Sequence, residues 1–337
     1  MKRRAVIETA VGETRAAIYE GRRLVELYVN RPWQTTPRVG DVYAGRITSI
    51  DPSVAGAWVD IGSSAAPALL PFAAQRDMPK LTEGQGVEVS ILRSEIGAKG
   101  ATLRYLAETD SKAGSVKKLD MRERLLLRFP NLTFDEAAVN AVDVACDVTL
   151  SLPGGGSITM EQTQALLAID VDKGGAISTS AAANEAAKLI ASQLRLRGLG
   201  GLVVIDFPNL RQPKQRKTLE RIFETACEAD PNVTKFNSLS RFGVIEMTRA
   251  KPDASLDDCL NTRFGEPTVE TLAMRALRRL TREAAAAPGA QLELFITPEI
   301  EAWLKHAPFD WKVEVKDRIG ARFKVTQGIL TDVKADR

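Results

Sequence analysis

Two aspartates close apolar runs in the same way. Asp170 follows Ala165-Leu166-Leu167-Ala168-Ile169, and Asp206 follows Leu202-Val203-Val204-Ile205. Short apolar runs bounded by polar residues read as buried strands, and the carboxyl ends of strands in open α/β sheets are where active sites gather. Two carboxylates held side by side repel each other, and a divalent cation removes that repulsion. Oxygen ligands at a partly open site suit Mg²⁺, which keeps several waters and completes its shell from phosphate. Taken singly, each aspartate is as well explained as the cap of the helix or turn that follows it. The turn Asp172-Lys173-Gly174-Gly175 adds a third carboxylate and a cation on backbone that glycine lets approach a phosphate closely. The plain alternative for Lys173 is a solvated loop residue.

Around these residues the periodicity gives the elements that must position them. Residues 1–30 alternate as a hairpin about Tyr19-Glu20-Gly21, and Arg31-Pro32-Trp33-Gln34-Thr35-Thr36-Pro37 interrupts it. Five short strand-like runs follow, Val42 to Ile50, Gly56 to Ile61, Ala68 to Phe72, Gly86 to Leu92 and Ala101 to Tyr105. That spacing suits a small oligonucleotide-binding barrel. Ala107 to Lys118 is polar and reads as a linker, and Leu119 to Val144 is of mixed helical pattern. A hairpin at 148–161 turns on Pro153-Gly154-Gly155-Gly156 and leads into the run that ends at Asp170. Ala181 to Arg197 reads as a helix with Ala183, Ala187, Ile190 and Leu194 on its inner face, and Lys214 to Glu228 as another. A strand about Val244, a polar segment to Gly265, and a small α/β unit complete the chain.

Composition sets broad limits. With 337 residues and 44% apolar content the chain can form two or three compact units. Its 46 basic against 43 acidic residues leave a net charge of +3, too faint to argue for nucleic acid by itself. Cys146, Cys227 and Cys259 lie at no metal-ligand spacing and read as small buried hydrophobes in a reducing compartment. The single histidine, His306, reads as a surface residue, so histidine-based chemistry is not expected. Met1-Lys2-Arg3-Arg4 is followed by Ala5-Val6-Ile7-Glu8 rather than by an unbroken apolar stretch, and no membrane-length apolar run occurs. The expectation is a cytoplasmic protein with no membrane partner.

Longer stretches carry a resemblance. Pro153-Gly154-Gly155-Gly156-Ser157-Ile158, Glu161-Gln162-Thr163-Gln164-Ala165-Leu166, Ala168-Ile169-Asp170-Val171 and Asn184-Glu185-Ala186-Ala187 are followed by Gln193-Leu194-Arg195-Leu196-Arg197, Gly200 to Phe207, and Ser240 to Met247. In the same order along the chain they resemble the ribonuclease E/G endoribonucleases. Gly40 to Ile47, Ala57 to Gly62, Leu69-Leu70-Pro71 and Lys99-Gly100-Ala101 resemble that family's S1 segment. The resemblance implies an α+β multidomain fold, in which an S1-like (OB-type) β-barrel is inserted before a mixed α/β metal-dependent nuclease domain and a small C-terminal α/β domain follows. The implied segments are 1–38 as an N-terminal β part of the nuclease core, 39–106 as the barrel, 107–147 as a reduced connector, 148–250 as the catalytic domain, 251–265 as a linker and 266–337 as the C-terminal domain.

It further implies an Mg²⁺-dependent endoribonuclease acting on single-stranded RNA and leaving 5′-phosphate products. Asp170 and Asp206 take the metal positions, with Asp172 beside them in the catalytic set. Trp58, in place of a base-stacking aromatic, would be joined in RNA binding by Lys99, Arg46, Lys173 and Arg241; a core aromatic is the alternative for Trp58. Three departures stand out. Asp172 replaces an asparagine that orients the attacking water, and a carboxylate cannot donate as an amide does. The short stretch between Lys99 and Val148 has no room for the family's 5′-monophosphate sensor, which implies indifference to the 5′ phosphorylation state. Only Cys259 lies near the family's zinc-link position, and one thiolate per subunit cannot build a four-sulfur site; a homodimer would have to form without shared zinc. Two other readings stay open: an RNA-binding protein of this fold with weak or lost catalysis, and a protein-binding scaffold with Arg275, Arg278, Arg279 and Arg282 as a solvated helix face.

Overall fold

The computed structural model describes residues 2–62, 66–73, 78–96 and 99–336. Met1 and Arg337, the outer ends of the first and last expected segments, lie outside the described residues. The architecture is mixed α+β, with helices packed on several separate sheets.

The N-terminal stretch forms three strands rather than one hairpin: β1 (Arg3–Ala10), β2 (Glu13–Glu20) and β3 (Arg23–Asn30). The expectation missed the turn at Val11-Gly12 because a single turn signal was sought in a window that holds two. The next strands are β4 (Val42–Asp51), β5 (Gly56–Asp60), β6 (Ala68–Pro71), β7 (Gly86–Arg93), β8 (Thr102–Glu108) and β9 (Gly114–Lys117). Their order is β5-β6-β8-β7-β4-β9, and a further β4–β5 pairing closes the first five into a ring. Alternate residues fill its interior, among them Tyr43, Ile47, Val59, Leu70, Val89 and Leu103. The polar segment after Ala107 is thus strand at both ends, since β8 runs to Glu108 and β9 pairs along β4.

Helix α1 (Met121–Arg128), opened by an Asp120 capping box, and β10 (Thr133–Glu136) return to the first sheet, where β10 pairs parallel to β1. Both faces of that sheet are covered. Ala5, Ile7, Ala16 and Ile18 pack on α1, while Val6, Ala17, Leu27 and Val29 pack on Val142, Leu256 and Leu260.

A six-stranded sheet follows, built from β11 (Thr149–Ser151), β12 (Ser157–Gln162), β13 (Leu167–Asp172), β14 (Gly201–Asp206), β15 (Thr234–Phe236) and β16 (Val244–Arg249) in the order β11-β12-β13-β14-β16-β15. Helices α2 (Thr179–Leu196) and α3 (Pro213–Glu228) cover one face, with Ala183, Ala187, Ile190 and Leu194 buried against Ile169, Val203 and Ile205. The segment read as a linker at 251–265 contains α4 (Leu256–Leu260), whose two leucines are buried. The last residues form α5 (Val269–Ala286), β17 (Gln291–Ile296), α6 (Pro298–Lys305), α7 (Trp311–Ile319), β18 (Phe323–Gln327) and β19 (Asp332–Asp336), with β17 central in a three-stranded sheet. No described helix is long and apolar enough to cross a membrane.

Buried ion pairs join these parts. Glu13 accepts from Arg15 and from Arg31, and all three side chains are essentially sequestered. Arg31 continues to Thr271 on α5, and Arg278 on α5 forks onto Glu8 and also reaches Asp143. On the other side, Arg195 of α2 binds Glu20 and Glu26. Arg275 and Arg278 of α5 therefore do not belong to a solvated face, whereas Arg279 and Arg282 are exposed. Arg278 is 4% exposed, Arg275 contacts Asp143, and Arg279 pairs with Asp332. A count of charges on one helix could not reveal the carboxylates waiting on β1 and at residue 143.

Replacing Glu13 with alanine leaves Arg15 and Arg31 facing each other without the carboxylate between them, and should cost about 3–5 kcal/mol in a denaturant titration; Asp332→Ala, on the exposed Arg279 pair, should cost less than about 1 kcal/mol. Hydrogen bonds from Arg195 and then Arg3 hold the Glu20 carboxyl down to about 2. Its contribution is complete above pH 4.5 and disappears as pH falls from there toward 2. Stability measured across that window should fall less steeply in Glu20→Gln than in the wild type.

Candidate active site

Strands β13 and β14 run parallel and in register, so that Asp170 and Asp206 are direct neighbours, with about 4.8 Å between strand axes. Period-2 alternation sends Ile169, Val171 and Ile205 into the core and puts both aspartates on the open face. Across this face the register gives one row: Thr149, Thr159, Asp170, Asp206, Val244. The hydroxyls of Thr149 and Thr159 are 3.2 Å apart, on one side of the sheet.

Capping does not account for the pair. Helix α2 is capped by Ser178, whose Oγ accepts from Ala181 N–H, and α3 starts at Gln212-Pro213 without a side-chain cap. Neither Asp170 nor Asp206 has a hydrogen-bond or ion-pair partner among the described residues. Two like charges on adjacent strands are thus left without a cation, and they are suited to bind one. Among the described residues there is no grouping of three or more His, Cys, Asp or Glu that could hold a metal ion, so water and phosphate would have to complete the shell of a cation held by two carboxylates.

Asp172 lies two residues further along the same face, opposite Ser157. Its Oδ1 accepts from Gly174 N–H at 2.9 Å, so capping does explain part of this side chain. Lys173 is exposed on that turn and its ammonium has no ion-pair partner among the described residues. Arg241 is exposed in the turn before β16, its guanidinium 5.4 Å from the centre of the Phe242 ring. That turn is tied to the carboxylate end of β14 by Phe207 N–H donating to Gly243 O at 3.0 Å. Asp170, Asp172, Lys173, Asp206 and Arg241 therefore gather at one end of the six-stranded sheet. Phe242, 79% exposed beside them, was missed by sequence reasoning; the signal was an aromatic residue at the tip of a Ser-Arg-Phe-Gly turn.

The other expected contacts lie on the strand ring. Trp58 alternates with Ala57 and Val59, which are buried, so it stands on the outer face; its Nε1 donates to Asp51 Oδ2 at 3.3 Å. Arg46 is exposed opposite Asp60 and donates to Gly84 O. Lys99 is exposed at the end of a short bridge with Ile96. The ring is fastened near the six-stranded sheet by Ser94, which donates to Asp253 Oδ1 at 2.7 Å. A cavity of about 310 Å³ between β3, α1 and residues 252–259 lies apart from the carboxylates, and its guanidinium groups, Arg38, Arg128 and Arg195 among them, are already engaged by carboxylates. The three cysteines are free, and burial pushes the Cys227 thiol up to about 12.

The family described as Ribonuclease E/G matches residues 108–252. Ribonuclease G of Haemophilus influenzae is 31% identical over 263 residues, 70% of this chain and 52% of that protein. Ribonuclease G of Escherichia coli is 28% identical over 200 residues, 55% of this chain and 41% of that protein. Ribonuclease E of Escherichia coli is 33% identical over 177 residues, 48% of this chain and 17% of that protein. The chain thus spans about half the length, or less, of these relatives.

Gly243 has φ +91°, and a Cβ there would come within 2.8 Å of Phe207 O. Gly243→Ala should destabilise the protein by more than about 1 kcal/mol, measured as a shift in denaturant midpoint, and should shift the Asp206 carboxyl signals in NMR spectra.

Proposed function

The chain belongs to the ribonuclease E/G family, and from this we propose that it is an endoribonuclease of RNA processing or decay in the cytoplasm, cleaving single-stranded RNA with Mg²⁺ held by Asp170 and Asp206. The observation that carries the reading is the unpartnered carboxylate pair at the ends of two parallel strands inside the matched region. When bound there, Mg²⁺ would supply an activated water and charge stabilisation at the scissile phosphate, giving 5′-phosphate products.

The protein's own groups divide the remaining work. Asp172 keeps one carboxylate oxygen on Gly174 N–H and offers the other as an acceptor for water, without the donor an amide would add. Lys173 and Arg241 bring unpaired positive charge to the phosphates flanking the cut. The ring of β4 to β8 takes the part of the S1-like barrel, with Trp58 stacking on a base and Arg46 and Lys99 near the backbone. Stacking contributes about 1–3 kcal/mol per base and tolerates any sequence. A homodimer through the C-terminal unit would do without a shared zinc, since Cys259 is one thiol per chain and burial raises its pKa.

Labelled single-stranded A/U-rich RNA should be cut by the wild type with Mg²⁺ and left intact with EDTA. Asp170→Asn and Asp206→Asn should each reduce cutting to background while RNA still binds. Wild-type protein that binds this RNA but never cuts it would replace the enzyme by an RNA-binding protein of the same fold.

A further inference from the structure

The turn beside the carboxylates has a twin. Ser240-Arg241-Phe242-Gly243 and Thr262-Arg263-Phe264-Gly265 share a sequence pattern and a build. In each, the first residue's N–H donates to a carbonyl four residues on, Ser240 to Val244 at 2.9 Å and Thr262 to Glu266 at 2.7 Å. In each, the glycine N–H returns to the first residue's carbonyl at 3.0 Å. The hydroxyls of Ser240 and Thr262 accept from Phe242 and Phe264 N–H at 3.2 and 3.3 Å. Gly243 and Gly265 both take positive φ, +91° and +84°. This is a tight turn closed by a glycine bulge, a rigid mount for the residue at its tip.

Both mounts present the same pair of groups. Phe242 is 79% and Phe264 76% exposed. The Arg241 guanidinium lies 5.4 Å and that of Arg263 4.6 Å from the neighbouring ring centre. Neither arginine has an ion-pair partner among the described residues. An exposed ring adds nothing to the core and leaves apolar area in water; a bare ring with an unpaired guanidinium beside it matches the π-face and phosphate of a nucleotide.

The positions of the two turns are related. The first abuts Val244, at one end of the row that contains both aspartates. A Cβ at Gly265 would lie 3.3 Å from Val148 Cγ2, and the next residue, Thr149, begins the same row at its other end. Four strand spacings separate those ends, about 19 Å.

We propose that Phe264 and Arg263 form a second nucleotide-binding platform, which holds a base and phosphate of single-stranded RNA across the carboxylate row from Phe242. The proposal rests on the endoribonuclease reading of that row. Of the possible occupants, single-stranded RNA is favoured over another protein chain because the same turn, with the same unpaired arginine, stands at the carboxylates themselves.

Fluorescence anisotropy in EDTA, with A/U-rich RNA long enough to cross the whole row, tests the platform on Phe264→Ala, Phe264→Tyr and Arg263→Ala. Phe264→Ala should weaken binding about 5- to 150-fold with an unchanged dependence on salt. Phe264→Tyr should bind as the wild type does, and Arg263→Ala should reduce the slope of log affinity against log salt by about 0.7. Unchanged melting temperatures keep these effects separate from folding. Wild-type affinity in Phe264→Ala, with the wild type still binding and cutting RNA, overturns the platform alone; a wild type that holds no RNA overturns the endoribonuclease reading with it. A change in sedimentation with RNA affinity intact would assign Phe264 to a contact between copies, and would also overturn the platform.

Discussion

A charge taken out of water must find its opposite, and in this protein that requirement joins the parts of the chain. The second strand carries Glu13 and Arg15 into a site with almost no access to solvent, where an uncompensated charge is far more costly than the pair itself is stabilising. The partners come from elsewhere: Arg31 from beyond β3, and Asp143 from the stretch before the six-stranded sheet. Arg278 of α5 then pairs with Glu8 and Asp143. Glu20 and Glu26 do the same toward α2 through Arg195. The first sheet is thereby held between the helix that backs the two aspartate strands and the helix that begins the C-terminal unit. Apolar contact adds to this on both of its faces.

Against that background the two aspartates differ in kind. Glu13, Glu20, Glu26 and Asp230 each meet a guanidinium, whereas Asp170 and Asp206 stand in register on neighbouring strands and meet none among the described residues. The sheet enforces their proximity because Ile169, Val171 and Ile205 must remain buried under α2 and α3. A one-residue slip of either strand would exchange buried and exposed faces. The repulsion is therefore maintained by hydrophobic burial, and it is this repulsion that the proposed divalent cation would relieve. Lys173 and Arg241, which have no ion-pair partner among the described residues, lie exposed on the flanking turns.

Much of this was legible in the sequence where periodicity and burial agree. The ring strands, the apolar runs ending at Asp170 and Asp206, and the inner face of α2 follow from spacing alone. What escaped depended on long-range partners or on short elements. The strand β9 is four residues, largely exposed, and carries no alternation to detect. The helix α4 is a single turn and a half inside a polar stretch, recognisable only because Leu256 and Leu260 pack on β3. Arg278 of α5 looked solvated since its carboxylates, Glu8 and Asp143, lie more than a hundred residues away in sequence. In the site, the carboxylates were found from strand ends, while Phe242 was passed over because an exposed aromatic in a turn has no periodic signal.

The most direct measurement is binding of Mn²⁺, as a spectroscopic stand-in for Mg²⁺, by electron paramagnetic resonance on the intact chain, with Asp170→Asn and Asp206→Asn alongside. The pairing of unpartnered carboxylates predicts a saturable site in the wild type that either substitution removes, with folding preserved in both. Saturable binding that survives both substitutions, or none in a folded wild type, would contradict the assignment of the metal to Asp170 and Asp206.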